Sequence, residues 1–450
     1  MLALKDKIAG RTAHIAIIGL GYVGLPLATA FAKGGFRVTG VDIDSRKVDA
    51  ITAGESYIAD VPDDELGPHA ESGRLTATLD YDAVREADAV FICVPTPYDA
   101  QRAPDLSFIR SASHSIKSRL KPGQLVVLQS TTYPGTTEEV VLPVLEESGL
   151  EAGKDFFLAF SPERIDPGNT RWTAYNTPKV VGGFTPQCTE LAAALLQQMG
   201  AVVHSVSSPH AAELTKLLEN TFRAVNIALV NELALLSERM DIDLWEVIEA
   251  AETKPFGFMP FYPGPGVGGH CIPVDPYYLF WKAREYDFYT KFIELAAEVN
   301  EAMPHHVVEL VTAGLSQDGL PLKGAEVLVL GVAFKPDVDD ARNSPARRVI
   351  ELLLRRGAVV GYHDPYVPRF NVGDDVFHRE SVELKSVGLE YEVLDSADCV
   401  VIVTGHRCVD YQRVVDKATR VVDTCNATAG VEGGDDRVLR LGVGQPRIAH

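Results

Sequence analysis

The chain has 450 residues, 46% hydrophobic and 23% charged, which is too long for one ordinary core and fits a soluble globular protein of two to three domains. A net charge of −20 argues against a nucleic-acid binder, which needs a basic face, but leaves room for a small anionic ligand held by a local cluster of donors. Six cysteines (Cys93, Cys188, Cys271, Cys399, Cys408 and Cys425) lack a CxxC pair or a metal-ligand spacing, so a reducing cytosol is expected and no metal.

The apolar run HIAII from His14 is rich in β-branched residues and predicts a buried strand ending at Gly19. The longer stretch His14–Ala32 has the look of a signal-peptide core, but three glycines and a proline argue against that, and no membrane span is expected elsewhere. GLGYVG follows the strand, then a small-residue helix through Phe31, then FRVTGVDID as a second strand, a βαβ unit. Further strands at Asp88–Pro97 and Gln124–Thr131 extend the alternation and imply a parallel sheet.

From Ser208, which can cap a helix that Pro209 opens, Leu214, Leu217, Leu218, Ala224, Val225, Ala228 and Leu229 recur at helical spacing toward Met240. A helix of that length joins lobes, and its apolar stripe suits a homodimer interface. The α/β rhythm then restarts at AEVLVLG (Ala325–Gly331), and SADCVVIVT from Ser396 repeats the pattern of EADAVFICV from Glu86. The expected fold class is α/β: two doubly wound Rossmann-like lobes, 1–207 and 319–450, joined by a central helical domain, 208–318, that carries the long helix.

Gly19, Gly21 and Gly24 form GxGxxG between a strand and a helix, the context that gives this pattern meaning. The first glycine turns the chain, the second admits a pyrophosphate to the backbone, and the third lets helix pack on strand; the phosphate would sit at the helix N-terminus. Asp42 ends the second strand, where a carboxylate can accept from a ribose diol and repels a 2′-phosphate, so NAD is expected over NADP. Arg46 and Lys47 soften that choice, since nearby cations tolerate the extra phosphate. A tight corner and a solvated strand end are the alternative reading of these residues.

In the central segment, Gly264–Pro276 reads GPGVGGHCIPVDP and wraps the Cys271 thiol in glycine and proline. A free cysteine is often a small buried hydrophobe. Here Gly266, Gly268 and Gly269 allow a ligand close to the backbone while Pro265 and Pro273 stiffen the loop, which suits a nucleophile held at one spot. Asp275, four residues on, can bind a water or proton near the sulfur, and His270 adjoins it. A held thiol together with NAD suggests attack on an aldehyde, hydride transfer and release of an acid. Thiolate formation at neutral pH needs a cationic or helix-terminal neighbour.

GLGYVGLPLA, the VPTP strand end, QSTTYPGTT, SPERI, AAELTKLLENTFRAVNIALVNE, PGPGVGGHCIPVDP and GVAFKPDVDDARNSP together resemble, in order, the signatures of the UDP-glucose/GDP-mannose dehydrogenase family over nearly the whole chain. The resemblance implies an NAD-dependent, four-electron oxidation of a nucleotide sugar at C6 to a uronic acid. It implies Cys271 as nucleophile, Lys216 and Asn220 as the helix pair that holds the C6 oxygen, Glu163 in thioester hydrolysis, Thr131 as a water-binding hydroxyl and Asp275 as the acid that assists proton transfer. The cofactor set it implies is Gly19, Gly21, Tyr22, Val23, Gly24, Asp42, Lys47, Thr96 and Thr131. Glu163, Arg164, Lys216, Asn220, Gly268, Lys335 and Arg342 are the implied substrate contacts. Taken singly, Lys216 with Asn220 reads as an exposed pair, Glu163 as a solvated loop acid, and Arg342 as a partner of Asp337 or Asp339.

GGHCIxVDP, with His270 where UDP-glucose and GDP-mannose members carry serine, is similar to the branch acting on UDP-N-acetylhexosamines. Phe256–Gly266 resembles its UDP-N-acetylglucosamine members. UDP-glucose and UDP-N-acetylgalactosamine are the alternative substrates, and a non-catalytic NAD-responsive binding protein the alternative class. Lys254 and Pro255 stand where UDP-glucose members have an arginine for the neighbouring subunit's substrate, and Cys425 replaces the arginine of a DTRN motif, so either another cation serves the phosphate or its affinity drops.

Overall fold

The computed structural model describes residues 2–444 apart from 59, 100, 101, 167, 168, 170, 374–380 and 435. The chain forms two compact units, Met1–Glu219 with Tyr277–Phe288 and Asn220–Pro276 with Tyr289–His450, so the central segment 208–318 is distributed over both.

In the first unit β1 (His14–Ile18) sends Ile15 and Ile17 into one apolar cluster and Ala16 and Ile18 into another, the period of two that a strand covered on both faces requires. Around it lie β2 (Arg37–Val41), β3 (Leu75–Thr78), β4 (Ala89–Ile92), β5 (Leu125–Leu128), β6 (Phe157–Phe160), β7 (Lys179–Gly183) and β8 (Val203–Ser205). Their order is β3-β2-β1-β4-β5-β6-β7-β8. The expected parallel pairing holds from β3 through β6, but β7 runs antiparallel to β6. Only about twenty residues join β6 to β7, and the described ones form no helix; a parallel return needs a crossover, usually helical.

The second unit repeats the plan. In β9 (Glu326–Leu330), Val327 and Val329 enter one cluster and Leu328 and Leu330 the opposite one. With β10 (Val359–His363), β13 (Cys399–Ile402), β14 (Val421–Asp423) and β15 (Val438–Arg440) it forms a parallel sheet of order β10-β9-β13-β14-β15; β11 (Arg369–Val372) and β12 (Val382–Lys385) pair separately. The Ala-Asp turns noted in the sequence have matching jobs. Asp88 accepts from the His14 N–H at 3.0 Å, and Asp398 accepts from the Glu326 N–H at 2.8 Å, each fastening the entry of the unit's first strand.

The long helix runs Pro209–Met240, and Ser208 Oγ accepts from the Ala211 N–H at 3.2 Å at its start. In the second unit it exposes Phe222, Leu229, Leu233, Leu236 and Met240, whose spacing of seven, four, three and four residues makes one stripe. Helices Leu244–Glu252, Asp275–Ala283 and Lys291–Gln317 complete the central segment. Among the described residues no helix is long and apolar enough to cross a membrane; the apolar run from His14 is β1 followed by the helix Gly24–Lys33.

Candidate functional site

The dinucleotide loop of the first unit is built by sterics. Gly19 has φ +91°, and a side chain there would meet the Cys93 carbonyl. A Cβ on Gly24 would lie 1.8 Å from the Gly19 oxygen, whereas one on Gly21 would meet nothing within 4 Å. The outer glycines thus fold the loop, and the middle one faces open space where a pyrophosphate can approach the N-terminus of Gly24–Lys33. Gly24→Ala is therefore expected to cost about 3 kcal/mol, the upper end of overpacking. It should weaken NAD binding ~10-fold or more, the equivalent of 1.4 kcal/mol of lost fit. Thermal melting and NAD titration check this, and wild-type values in both would contradict it.

Asp42 is buried rather than a solvated strand end. Its Oδ2 accepts from the Leu20 N–H at 2.7 Å and from Lys47 Nζ at 3.0 Å, and its Oδ1 accepts from the Asp44 N–H at 3.0 Å. Three of about four acceptor positions are filled, which leaves Oδ1 able to take a ribose hydroxyl. Arg46 pairs with Asp44, so both cations flanking the strand end already have carboxylate partners. Asp364 occupies the matching place in the second unit, but it accepts from the N–H groups of Val332, Ala333, Tyr366 and Val367 and from His406 Nε2. With five donors it has no capacity for a ribose, so the geometry fits NAD in the first unit alone. Exposed Tyr22 and half-buried Val23 lie in the loop between Gly21 and Gly24, and the Thr96 carbonyl accepts from the Tyr278 hydroxyl.

Glu163 is a buried residue, not the solvated loop acid that the residue alone suggests. Lys179 Nζ lies 2.9 Å from both its oxygens, Gln129 Nε2 donates to Oε2 at 2.9 Å, and the N–H groups of Arg164 and Ile165 donate to Oε1 at 2.8 and 3.1 Å. Burial opposes ionisation, yet the Lys179 charge and these donors hold the carboxyl below its ordinary range. The Arg164 guanidinium is taken up by Glu219 and the Pro178 carbonyl. Lys216 is also buried, and Thr131 is half-buried just past β5. In the long helix Glu213 accepts from the N–H groups of Gly135 and Thr137 at 2.6 and 2.9 Å, which fixes the turn after Thr131.

In the second unit Cys271 is half-buried, and its carbonyl accepts from the Asp275 N–H at 2.8 Å, so the thiol-bearing residue opens the helix Asp275–Ala283. Asp275 is buried, and its Oδ2 accepts from Asn220 Nδ2 at 2.6 Å, joining the long helix to the loop helix. Beyond Asp275 the loop is docked on the segment 334–345. Gly269 donates its N–H to the Arg342 carbonyl at 3.2 Å, and Asn343 Nδ2 donates to the Gly269 carbonyl at 3.0 Å. Cβ atoms on Gly268 or Gly269 would press on Phe334, so these glycines serve packing. His270 Nε2 meets Asp340 Oδ2 at 2.8 Å. Asp340, not Asp337 or Asp339, takes Arg342, with its Nε and Nη2 at 2.9 and 2.7 Å. Burial opposes charge on Asp340, but the His270 and Arg342 bonds hold its carboxyl far below the ordinary range. Lys335 is half-buried in the same segment. Cys425 is half-buried, and burial pushes its thiol well up, so it supplies no charge. Lys254 is exposed over the Phe256 ring.

Sequence reasoning missed Lys179, Gln129, Asp340 and Asn343. Lys179 left one signal, a lysine heading the otherwise apolar strand KVVGG.

These features define an NAD-dependent dehydrogenase acting on nucleotide sugars. The chain belongs to the UDP-glucose/GDP-mannose dehydrogenase family: its NAD-binding, central and UDP-binding domains match residues 13–200, 210–302 and 328–430. A UDP-N-acetyl-D-glucosamine 6-dehydrogenase of Pseudomonas aeruginosa is 39% identical over 82% of this chain and 85% of its own. The structure of a UDP-D-ManNAc dehydrogenase from Pyrococcus horikoshii aligns with TM-score 0.85 at 32% identity, covering 95% and 99% of the two chains. That of an NDP-N-acetyl-D-galactosaminuronic acid dehydrogenase from Methanosarcina mazei Go1 aligns with TM-score 0.81 at 31% identity, covering 99% of each.

Proposed function

We propose that this chain oxidises the C6 alcohol of a UDP-N-acetylhexosamine, UDP-N-acetylglucosamine foremost, to the uronic acid through a covalent intermediate on Cys271. The observation that carries the reading is the half-buried thiol on a glycine loop docked by His270, Asn343 and Phe334. Relatives named for glucosamine, mannosamine and galactosaminuronic derivatives support the acetamido class, and His270 with the Phe256–Gly266 stretch favours the glucosamine member.

NAD held at Gly19 to Gly24 and Asp42 would supply the oxidant, one molecule taking a hydride in each of the two oxidations and leaving as NADH before the next binds. Lys216 and Asn220 hold the C6 oxygen and stabilise its negative charge, and Asp275, oriented by Asn220, helps move the alcohol proton. The Cys271 sulfur bonds to the aldehyde carbon, and after the second oxidation that carbon is a thioester. Water oxygen then bonds to it with Glu163 and Thr131 serving the step, the C–S bond breaks, and the uronic acid leaves as the thiolate is restored. Gly19 to Gly24, Asp42, Lys47 and Thr96 serve the cofactor, and Arg164, Gly268, Lys335 and Arg342 the sugar nucleotide. The lobes 1–207 and 319–450 serve NAD and UDP-sugar respectively, and the exposed stripe Phe222 to Met240 pairs two copies as a homodimer.

A panel of UDP-sugars with NAD tests the reading. UDP-N-acetylglucosamine is expected to give two NADH and one acid per sugar, with kcat/KM above that for UDP-glucose and UDP-N-acetylgalactosamine. A preference for UDP-glucose overturns the sugar assignment, and a yield of one NADH overturns the four-electron assignment.

A further inference from the structure

We propose that Lys179 is a positioning residue for the acid-forming half of the reaction, its buried ammonium clamping the Glu163 carboxylate in its charged form and in one orientation. The inference rests on the reading of Glu163 as the group that serves thioester hydrolysis.

The geometry is that of a closed clamp. The Lys179 side chain is 1% exposed and that of Glu163 10%, and the ammonium lies 2.9 Å from both carboxylate oxygens. Lys179 cannot drift, because it is the first residue of β7 and its backbone N–H donates to the Val202 carbonyl at 2.8 Å. Glu163 sits three residues past β6, so the antiparallel β6 and β7 bring the two together from opposite ends of the connecting loop. Gln129 Nε2 and the N–H groups of Arg164 and Ile165 complete the cage.

The groups facing Glu163 leave Lys179 as the dominant charge. Lys216 of the long helix acts on it more weakly, and the Arg164 guanidinium pairs with Glu219 instead of Glu163. Cys93, past β4, has its thiol pushed up by burial and stays neutral. Without Lys179, burial would drive Glu163 toward its protonated form, which offers fewer acceptor sites and cannot take a proton from water. A buried ion pair is commonly no more stable than an apolar pair of the same size, so packing alone does not call for one here.

The test separates charge from packing. When hydrolysis limits turnover, NADH appears as a fast burst followed by a slow phase, and the slow phase is recorded against pH for each variant. Lys179→Gln keeps a donor and drops the charge; its slow phase is expected to fall at neutral pH while the burst persists. The acid limb of its profile should move upward by about 1–3 pH units, the effect of losing an opposite charge at this distance. Lys179→Arg is expected to keep the wild-type limb. If Lys179→Gln does not fold, Lys179→Met/Glu163→Gln, which removes both charges, is expected to fold and to show the burst with a slow phase reduced as in Glu163→Gln alone. An acid limb that stays in place in Lys179→Gln while Glu163→Gln slows hydrolysis overturns the role of Lys179. A full slow phase in the double variant while Glu163→Gln is slow does the same. An unaltered slow phase in Glu163→Gln overturns the assignment of Glu163 and this inference with it.

Discussion

Cys271→Ala is expected to lower uronic acid formation by at least ~10³-fold, while hydride transfer from the alcohol continues. In the proposed mechanism the sulfur is needed only once the aldehyde exists, where it forms the bond that turns a carbonyl carbon into a hydride donor, and no other described residue of the loop Gly264–Pro276 carries a comparable nucleophile. Asn220, Asp275 and Lys216 are unchanged by the substitution, so the groups proposed for proton removal and the first oxidation are kept. Alanine also fits the site, since it is smaller than cysteine and the loop keeps its bonds through Gly269, His270 and Asn343. The variant is therefore expected to melt like the wild type and to yield NADH with an aldehyde that a hydrazine reagent traps. Two NADH per sugar and full acid from Cys271→Ala would remove the thiol from the mechanism.

The fold was legible where chemistry repeats along the chain. HIAII and AEVLVLG announced the first strands of two sheets, and the Ala-Asp entries at Asp88 and Asp398 turned out to clasp those strands in the same way. Ser208 and Pro209 marked the start of the long helix to the residue. The reversal of β7 was not legible, because periodicity reports which face a strand buries and not which way it runs. The partners of the site residues escaped for a related reason. Nothing in SPERI or KVVGG says that Glu163 meets Lys179, and the Asp337, Asp339 and Asp340 carboxylates are equal in sequence until the fold buries Asp340 against His270. Family resemblance named Glu163 and Arg342, but only geometry shows how their charges are balanced.

Asn220→Asp is expected to be the most damaging isosteric change in the second unit. Asn220 Nδ2 donates to Asp275 Oδ2 at 2.6 Å, and both residues are buried, so the substitution replaces a donor with an acceptor and sets two carboxylates side by side. Two such groups cannot both ionise at that distance; one takes a proton, and its pKa rises well above the ordinary carboxylate value. A raised folded-state pKa stabilises the variant only at pH values below it and withdraws that support as pH rises through it. The loss in melting temperature relative to wild type should accordingly be small in mild acid and grow toward neutral pH. Catalysis should fall by ~10²–10³-fold at neutral pH, the range for losing one donor to a developing oxyanion. Asn220→Ala separates the two effects: it loses the donor without adding charge, so its activity falls similarly while its melting deficit grows less between mild acid and neutral pH than that of Asn220→Asp. A deficit that is flat with pH in Asn220→Asp would show that the carboxylates do not meet, and the link between the long helix and the cysteine loop would have to be drawn elsewhere.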